Sequence, residues 1–344
     1  MITQNRRRST VAITSLVAAA ILGGGAIAGA QSPAAWPSAA TGVSGNLEIH
    51  GSSTVAPISN AVAEAFVETN PDLGYVVGDE GTGAGFADFF CAGQSDISDA
   101  SRKIKDEEAA ACQAAGVTYA ELPIAYDGLA VITSVKSPID CLTTADLYAL
   151  MGPESDNVAN WKDAQALATE LGSTTTFPDA PLSITAPGDE SGTYDSFIEL
   201  ALGRFIKDRG QESKLRQPGS VYVASPNDNV IIEGVAGFDT SLGFVGLSYA
   251  EENADRVKVL GVDAGNGCVK PDFDTVSGGT YPIARTLYIY PNVGKLADNP
   301  AIVPFVDYYL SDEGLANATN VGYVALHPDT LAASRAAWLA ATGR

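Results

Sequence analysis

Gly51-Ser52-Ser53-Thr54-Val55-Ala56-Pro57 stands between an apolar run, Leu47-Glu48-Ile49-His50, and a stretch in which Ile58, Val62 and Phe66 fall four apart. The run before it reads as a strand, and the stripe after it as one face of a helix. A strand that turns through small, hydroxylated residues straight into a helix is the repeating unit of an α/β fold. Two more such turns follow. Gly81-Thr82-Gly83-Ala84-Gly85 lies between a strand at Tyr75–Val77 and the apolar segment Phe86–Phe90. Gly188-Asp189-Glu190-Ser191-Gly192-Thr193 precedes a helix expected from Asp195 to Lys207, with Phe197, Leu200, Ala201 and Phe205 at apolar positions. Further strands are expected at Leu129–Ile132, Leu242–Gly246 and Val257–Leu260, and helices at Asp106–Ala115 and Val303–Leu310. The alternation implies an α/β fold with mainly parallel or mixed sheets.

The three turns share one chemistry. Small residues let the backbone approach a ligand closely. Free N–H groups at a helix start hold anions without any side-chain cation, and hydroxyls add neutral donors. Taken singly, each turn reads as an ordinary helix cap rather than as a site. The Gly81 turn lacks the G-x-G-x-x-G spacing and a P-loop lysine. In the Gly188 turn the serine sits one place late for G-x-S-x-G. The only histidines are His50 and His327, so neither a catalytic serine nor a zinc site finds its partners. A fourth segment, Ser95-Asp96-Ile97-Ser98-Asp99-Ala100-Ser101-Arg102-Lys103-Ile104-Lys105, puts an isolated Arg and a carboxylate in a turn. Alone it reads as a solvated loop.

The chain has 344 residues, 41 Asp plus Glu against 20 Lys plus Arg, a net charge of −21 and 46% hydrophobic residues. That supports one large domain or two ordinary ones, and speaks against disorder. The acidic balance argues against nucleic acid and anionic membranes as partners. Arg6, Arg7 and Arg8 precede an apolar stretch from Val11 to about Ala30 with a small-residue exit, the pattern of a secretory signal peptide over residues 1–30. Cleavage there removes three Arg and no acid, so the mature charge is −21 − 3 = −24. Residues 31–45 read as a flexible leader. No cysteine precedes Cys91, so no lipid attachment is expected there, and the product is periplasmic or extracellular. Cys91, Cys112, Cys141 and Cys268 suggest two disulfides in an exported chain, with three pairings open. Cys91 and Cys112 flank one short helix-rich segment and are the preferred pair, which leaves Cys141 with Cys268.

Six pieces in order resemble the phosphate-binding proteins of bacterial high-affinity phosphate ABC transporters. They are Gly-Ser-Ser-Thr-Val-Ala-Pro at 51–57, Asp-Ile-Ser-Asp-Ala-Ser-Arg at 96–102, Pro-Ile-Ala-Tyr-Asp-Gly-Leu-Ala at 123–130, Glu-Ser-Gly-Thr at 190–193, Leu-Gly-Phe-Val-Gly-Leu-Ser-Tyr at 242–249 and Tyr-Pro-Ile-Ala-Arg-Thr-Leu-Tyr-Ile-Tyr at 281–290. The resemblance covers about Leu47 to Val324. It implies a periplasmic-binding-protein-like fold: two α/β lobes with mixed sheets, the ligand in the cleft, and two hinge crossings at Ala125–Val131 and Ile283–Ile289. Lobe one is then 46–128 plus 286–344, and lobe two 129–285. It also implies phosphate contacts from Ser53, Thr54, Val55, Thr82, Gly83, Asp99, Ser101, Arg102, Ser191, Gly192 and Thr193, with Val55 and the glycines acting through backbone N–H. Some members carry an Arg four residues before the Ser of Ser-Gly-Thr, where this chain has Pro187. Arg102 is expected to supply that guanidinium, gripping two phosphate oxygens.

Within this resemblance Asp99 is expected to discriminate. Phosphate near neutral pH keeps a proton that a carboxylate can accept, whereas sulfate has none to donate. The function implied is an exported monomeric receptor that binds inorganic phosphate without cofactor or metal and delivers it to ABC permease subunits. The rivals are a receptor for another oxyanion, such as sulfate or molybdate, and an exported phosphoryl-transfer or hydrolytic enzyme. The enzyme lacks a nucleophile–base pair or metal cluster in the sequence, so none is expected.

Overall fold

The computed structural model describes residues 36–189 and 191–344. The expected signal peptide lies outside the described residues. The strands are β1 (Gly45–Gly51), β2 (Leu73–Val77), β3 (Ile97–Ala100), β4 (Leu122–Ser134), β5 (Cys141–Thr143), β6 (Ser183–Ala186), β7 (Tyr222–Ala224), β8 (Ser241–Gly246), β9 (Val257–Val259), β10 (Gly261–Asp263) and β11 (Ala284–Pro291). Nine of them join in the order β2-β1-β3-β11-β4-β8-β6-β7, with β9 also on β4. Parallel pairs lie at both ends, β1 with β2 and β3, and β6 with β7 and β8. The middle is antiparallel and is made by β4 and β11.

Those two strands are the crossings between lobes. The first part of β4 pairs with β11, and from Leu129 onward β4 pairs with β8 and β9. In return, Ala284 to Ile289 of β11 lie opposite β4, with a register shift between Leu287 and Tyr288, and Tyr288 to Pro291 pair with β3 on the other side. β4 is covered on both faces, which explains why Leu129–Ile132 reads as an unbroken apolar run. The strand is longer than that run, because its first half is continuous with it.

Each half has its own core. One contains Leu47, Ile49, Ile58, Val62, Phe66, Phe305 and Trp338. The other contains Val131, Tyr148, Trp161, Phe197 and Phe244. The helix Ala56–Thr69 carries Pro57 in its first turn and buries Ile58, Val62 and Phe66 on one stripe. Each such side chain contributes roughly 1.5–3 kcal/mol on burial. A smaller cluster, Phe86, Phe90 and Tyr290, packs with the Cys91–Cys112 disulfide. The second disulfide joins Cys141 to Cys268, as the preferred pairing required.

Three expectations are corrected. The helix expected at Asp195–Lys207 begins at Gly192 and passes through a π-type turn at Ile198–Leu202 before continuing to Asp208. The loop expected around Asp96–Arg102 contains β3, a strand held between β1 and β11 although Ser98 and Asp99 are polar. The described end of the leader is anchored. The Trp36 indole donates to the Asp307 carbonyl, Arg335 lies over its ring, and Val43 N–H donates to Asn70.

Candidate functional site

The site starts where β1 ends. Gly51 has φ +143, and a Cβ there would collide with the carbonyl of Asp99 on β3. A Cβ on Gly85 would strike Gly51 itself. Two glycines therefore let three backbone segments meet, which no side chain could allow. Hydrogen bonds fix them. Ser52 N–H donates to Asp99 O at 2.9 Å, and Gly81 N–H donates to Gly51 O at 2.7 Å. Ser101 N–H donates to Thr82 Oγ1 at 3.1 Å. The Tyr323 hydroxyl donates to Thr54 O at 2.5 Å, tying the first turn to the C-terminal part of the chain.

A cavity of 220 Å³ opens over this junction. One wall is Ser52, Ser53, Thr54, Gly81, Thr82, Gly83, Ser101 and Arg102, and the facing wall is Asp195 and Glu199. The structure thus brings together six of the residues singled out in the sequence: Ser53, Thr54, Thr82, Gly83, Ser101 and Arg102. A Cβ added at Gly192 would lie 3.7 Å from Ser53 O and 3.9 Å from Thr54 Cα, so the Gly192 turn faces the first turn across a narrow gap. Ser191 caps the helix Gly192–Phe197, its hydroxyl accepting from Thr193 N–H at 3.2 Å. Thr193 lines a second cavity, of 270 Å³, with Asp127, Asp228, Tyr249 and Tyr323. Val55 is corrected: its N–H donates to Ser52 O at 3.0 Å and is consumed by the turn. Among the described residues no group of His, Cys, Asp and Glu is placed to hold a metal ion.

Arg102 also departs from its expected role. Its Nη1 and Nη2 donate to Glu108 at 2.8 and 2.7 Å, and Nη1 donates to the Lys103 carbonyl as well. Burial alone would raise the Glu108 carboxyl. The Arg102 guanidinium and the Lys105 N–H outweigh that and leave it below its ordinary value. Glu108 is held there by its own helix, whose start it caps. The bidentate fork is therefore occupied by a carboxylate of the same lobe.

Asp99 does not line the cavity. Its side chain is fully buried, with Oδ1 accepting from the Ser59 hydroxyl at 2.9 Å and Oδ2 without a hydrogen-bond partner. Ser59 Oγ lies 3.0 Å from the Tyr309 hydroxyl. Burial pushes the Asp99 carboxyl up to about 8, and the Ser59 hydroxyl opposes this only in part. The expectation of an ionised acceptor is thereby corrected. At neutral pH desolvation keeps the proton on the carboxyl.

Arg285 and Asp127 were missed in the sequence. They lie opposite one another in β11 and β4, with Nε 3.2 Å from Asp127 Oδ2. Arg285 Nη2 also donates to Thr54 Oγ1 at 3.0 Å and to Ser196 Oγ at 2.9 Å, and Nη1 donates to Glu199 at 2.6 Å. The available signal was one opposite charge in each of two otherwise apolar runs, since buried charges seek partners.

A two-crossing α/β chain with hydroxyl-lined turns facing an interlobe cavity has counterparts. A profile of the PBP superfamily domain matches residues 37–313. The chain belongs to the PBP superfamily. The protein SphX of Synechococcus elongatus is 39% identical over 279 residues, covering 80% of this chain and 76% of that protein. The phosphate-binding protein PstS of Staphylococcus epidermidis is 32% identical over 282 residues, covering 82% and 79%. The crystal structure of a possible phosphate binding protein from Planctomyces limnophilus superposes with a TM-score of 0.77 at 32% identity, covering 87% of this chain and 99% of that one. The resemblance to phosphate-binding proteins seen in the six motifs thus extends over most of this PBP-superfamily chain. At Pro187, where some members carry Arg, the carbonyl accepts from the Tyr222 hydroxyl.

Proposed function

We propose that this chain is an exported, non-enzymatic receptor that captures inorganic phosphate between its lobes and delivers it to the permease of an ABC transporter. One observation carries the reading: a polar interlobe cavity with one wall built from hydroxyls and glycine turns. Such a wall offers many neutral donors to an anion at little desolvation cost. The relatives named as phosphate-binding proteins support it. Ser53, Thr54, Thr82, Gly83 and Ser101 are the proposed contacts from lobe one, taken as 46–128 plus 286–344. Ser191, Gly192 and Thr193 are the proposed contacts from lobe two, 129–285. Ligand that bridges both shifts the population toward the closed form. The chain acts as a monomer.

Asp99 keeps a part in the reading, with a changed role. Its unpartnered Oδ2 lies behind the cavity wall, so sharing one proton with a phosphate oxygen requires the first turn to part from it as the ligand enters. Phosphate suits either partner of that proton, because it gains or loses one near neutral pH. Sulfate suits only the protonated carboxyl. Rejection of sulfate is therefore expected to strengthen as pH rises through about 8, where the carboxyl ionises. Titration calorimetry of the mature chain with phosphate and sulfate at pH 6 and pH 9 tests this. Heat with phosphate at both pH values, and sulfate competition only at pH 6, is expected. An absence of phosphate binding overturns the function. Equal sulfate competition at both pH values overturns the role of Asp99.

A further inference from the structure

Two guanidinium groups stand near the cavity, and they differ in what holds them. Arg102 lines the wall, yet both of its Nη atoms are taken by Glu108, whose side chain is only 13% exposed. Arg285 reaches the site from the hinge strand β11. Its inner bond is to Asp127, 4% exposed, and its outer bond is to Glu199, 61% exposed. Nη2 holds the Thr54 hydroxyl of the first turn and the Ser196 hydroxyl of the opposite lobe. The Asp127 contact belongs to the fold. The Glu199 carboxylate is the solvent-exposed end of its pair and stands on a π-type turn, so it can leave the guanidinium for water more readily than Asp127 can.

Glu199 and Asp195 together form the acidic wall of the cavity. A pair of carboxylates facing an anion would repel it unless one can leave. Glu199 already makes with Nη1 the kind of bond that a phosphate oxygen would make. We propose that Arg285, and not Arg102, is the anion-binding cation of this cleft, and that Glu199 is an internal carboxylate which the incoming anion displaces from Arg285 Nη1. This rests on the phosphate reading above. Because Arg285 also orients Thr54 and Ser196, the exchange links ligand arrival to contacts on both lobes.

The experiment is phosphate titration calorimetry on the mature chain carrying Glu199→Ala, Asp195→Ala, Arg285→Lys, Arg102→Lys, and Glu199→Ala with Arg285→Lys. Lysine keeps a charge beside Asp127, and Glu199 is exposed, so these variants keep the fold testable. Glu199→Ala is expected to tighten phosphate binding about threefold beyond the gain from Asp195→Ala. Arg285→Lys is expected to weaken it about tenfold or more, and by more than Arg102→Lys. In the double variant the Glu199→Ala gain disappears, because the bond it released no longer exists. If wild type binds no phosphate, the functional reading fails. If wild type binds but Asp195→Ala gains as much as Glu199→Ala, or Arg102→Lys costs as much as Arg285→Lys, the functional reading stands and this proposal is overturned.

Discussion

Asp99 and Asp127 are both buried beside the cleft, and their surroundings treat them in opposite ways. Asp127 faces a guanidinium directly across the hinge, with Arg285 Nε at 3.2 Å. Asp99 faces only hydroxyls, Ser59 at 2.9 Å with Tyr309 behind it. Burial raises both carboxyls. At Asp127 the cation opposes that shift. At Asp99 nothing but one hydroxyl does, so the proton stays. The hinge thus holds an ion pair that fixes two strands in register, and the layer behind the wall of the site holds a neutral acid. The difference teaches that a buried carboxylate's charge is set by the partner that tertiary structure supplies, and not by residue type.

The comparison can be broken most forcefully at the hinge. Arg285→Met leaves Asp127 buried without its cation, and a stability loss of about 3–5 kcal/mol is expected in urea unfolding. A loss below about 1 kcal/mol would mean that Asp127, like Asp99, is neutral in the folded chain. A somewhat smaller effect is expected from Asp99. Its folded value is near 8 against 3.8 for the ordinary group. Between those values the folded state holds the extra proton, so its contribution to stability is full below the lower one. It is lost as pH rises through the window, and levels off above about 8. Wild type should lose up to about 4 kcal/mol between pH 5 and pH 8 from this group. Asp99→Asn should show a correspondingly flatter profile of melting temperature against pH. Identical profiles would show Asp99 to be ionised.

Smaller changes sharpen the contrast. Ser59→Ala removes the hydrogen bond to the Asp99 carboxyl and is expected to cost about 1–2 kcal/mol while raising the carboxyl further. The apparent carboxyl titration of Asp99 by carbon-13 NMR should move upward, and a downward move would reject the arrangement. The smallest effect is expected at the exposed end of the Arg285 cluster. Glu199→Gln should change stability by less than about 1 kcal/mol in thermal unfolding. A larger loss would show that Glu199 belongs to the structural pair rather than to an exchangeable one.

Much of this contrast was not legible along the chain. The strands at Leu47, Tyr75, Leu242 and Val257, and the helix stripe at Ile58, Val62 and Phe66, could be read because burial imposes a local period. The three small-residue turns were visible for a similar reason. Close backbone approach needs glycine, as the contact of Gly51 with Asp99 shows. Strand β3 was hidden, because it takes its pairing from β1 and β11 rather than from its own polar sequence.

The sequence by itself determined an α/β chain, its cysteine pairing preference, its acidic charge and a set of anion-suited turns. These follow from composition and local pattern. The tertiary structure alone decided which charge meets which. It closed Arg102 onto Glu108 within one helix start, and it set Arg285 opposite Asp127 through the register of two distant strands. It also placed Asp99 behind the wall of the cavity. Coulomb interaction and desolvation act over a few ångströms in space, and separation along the chain carries little information about either.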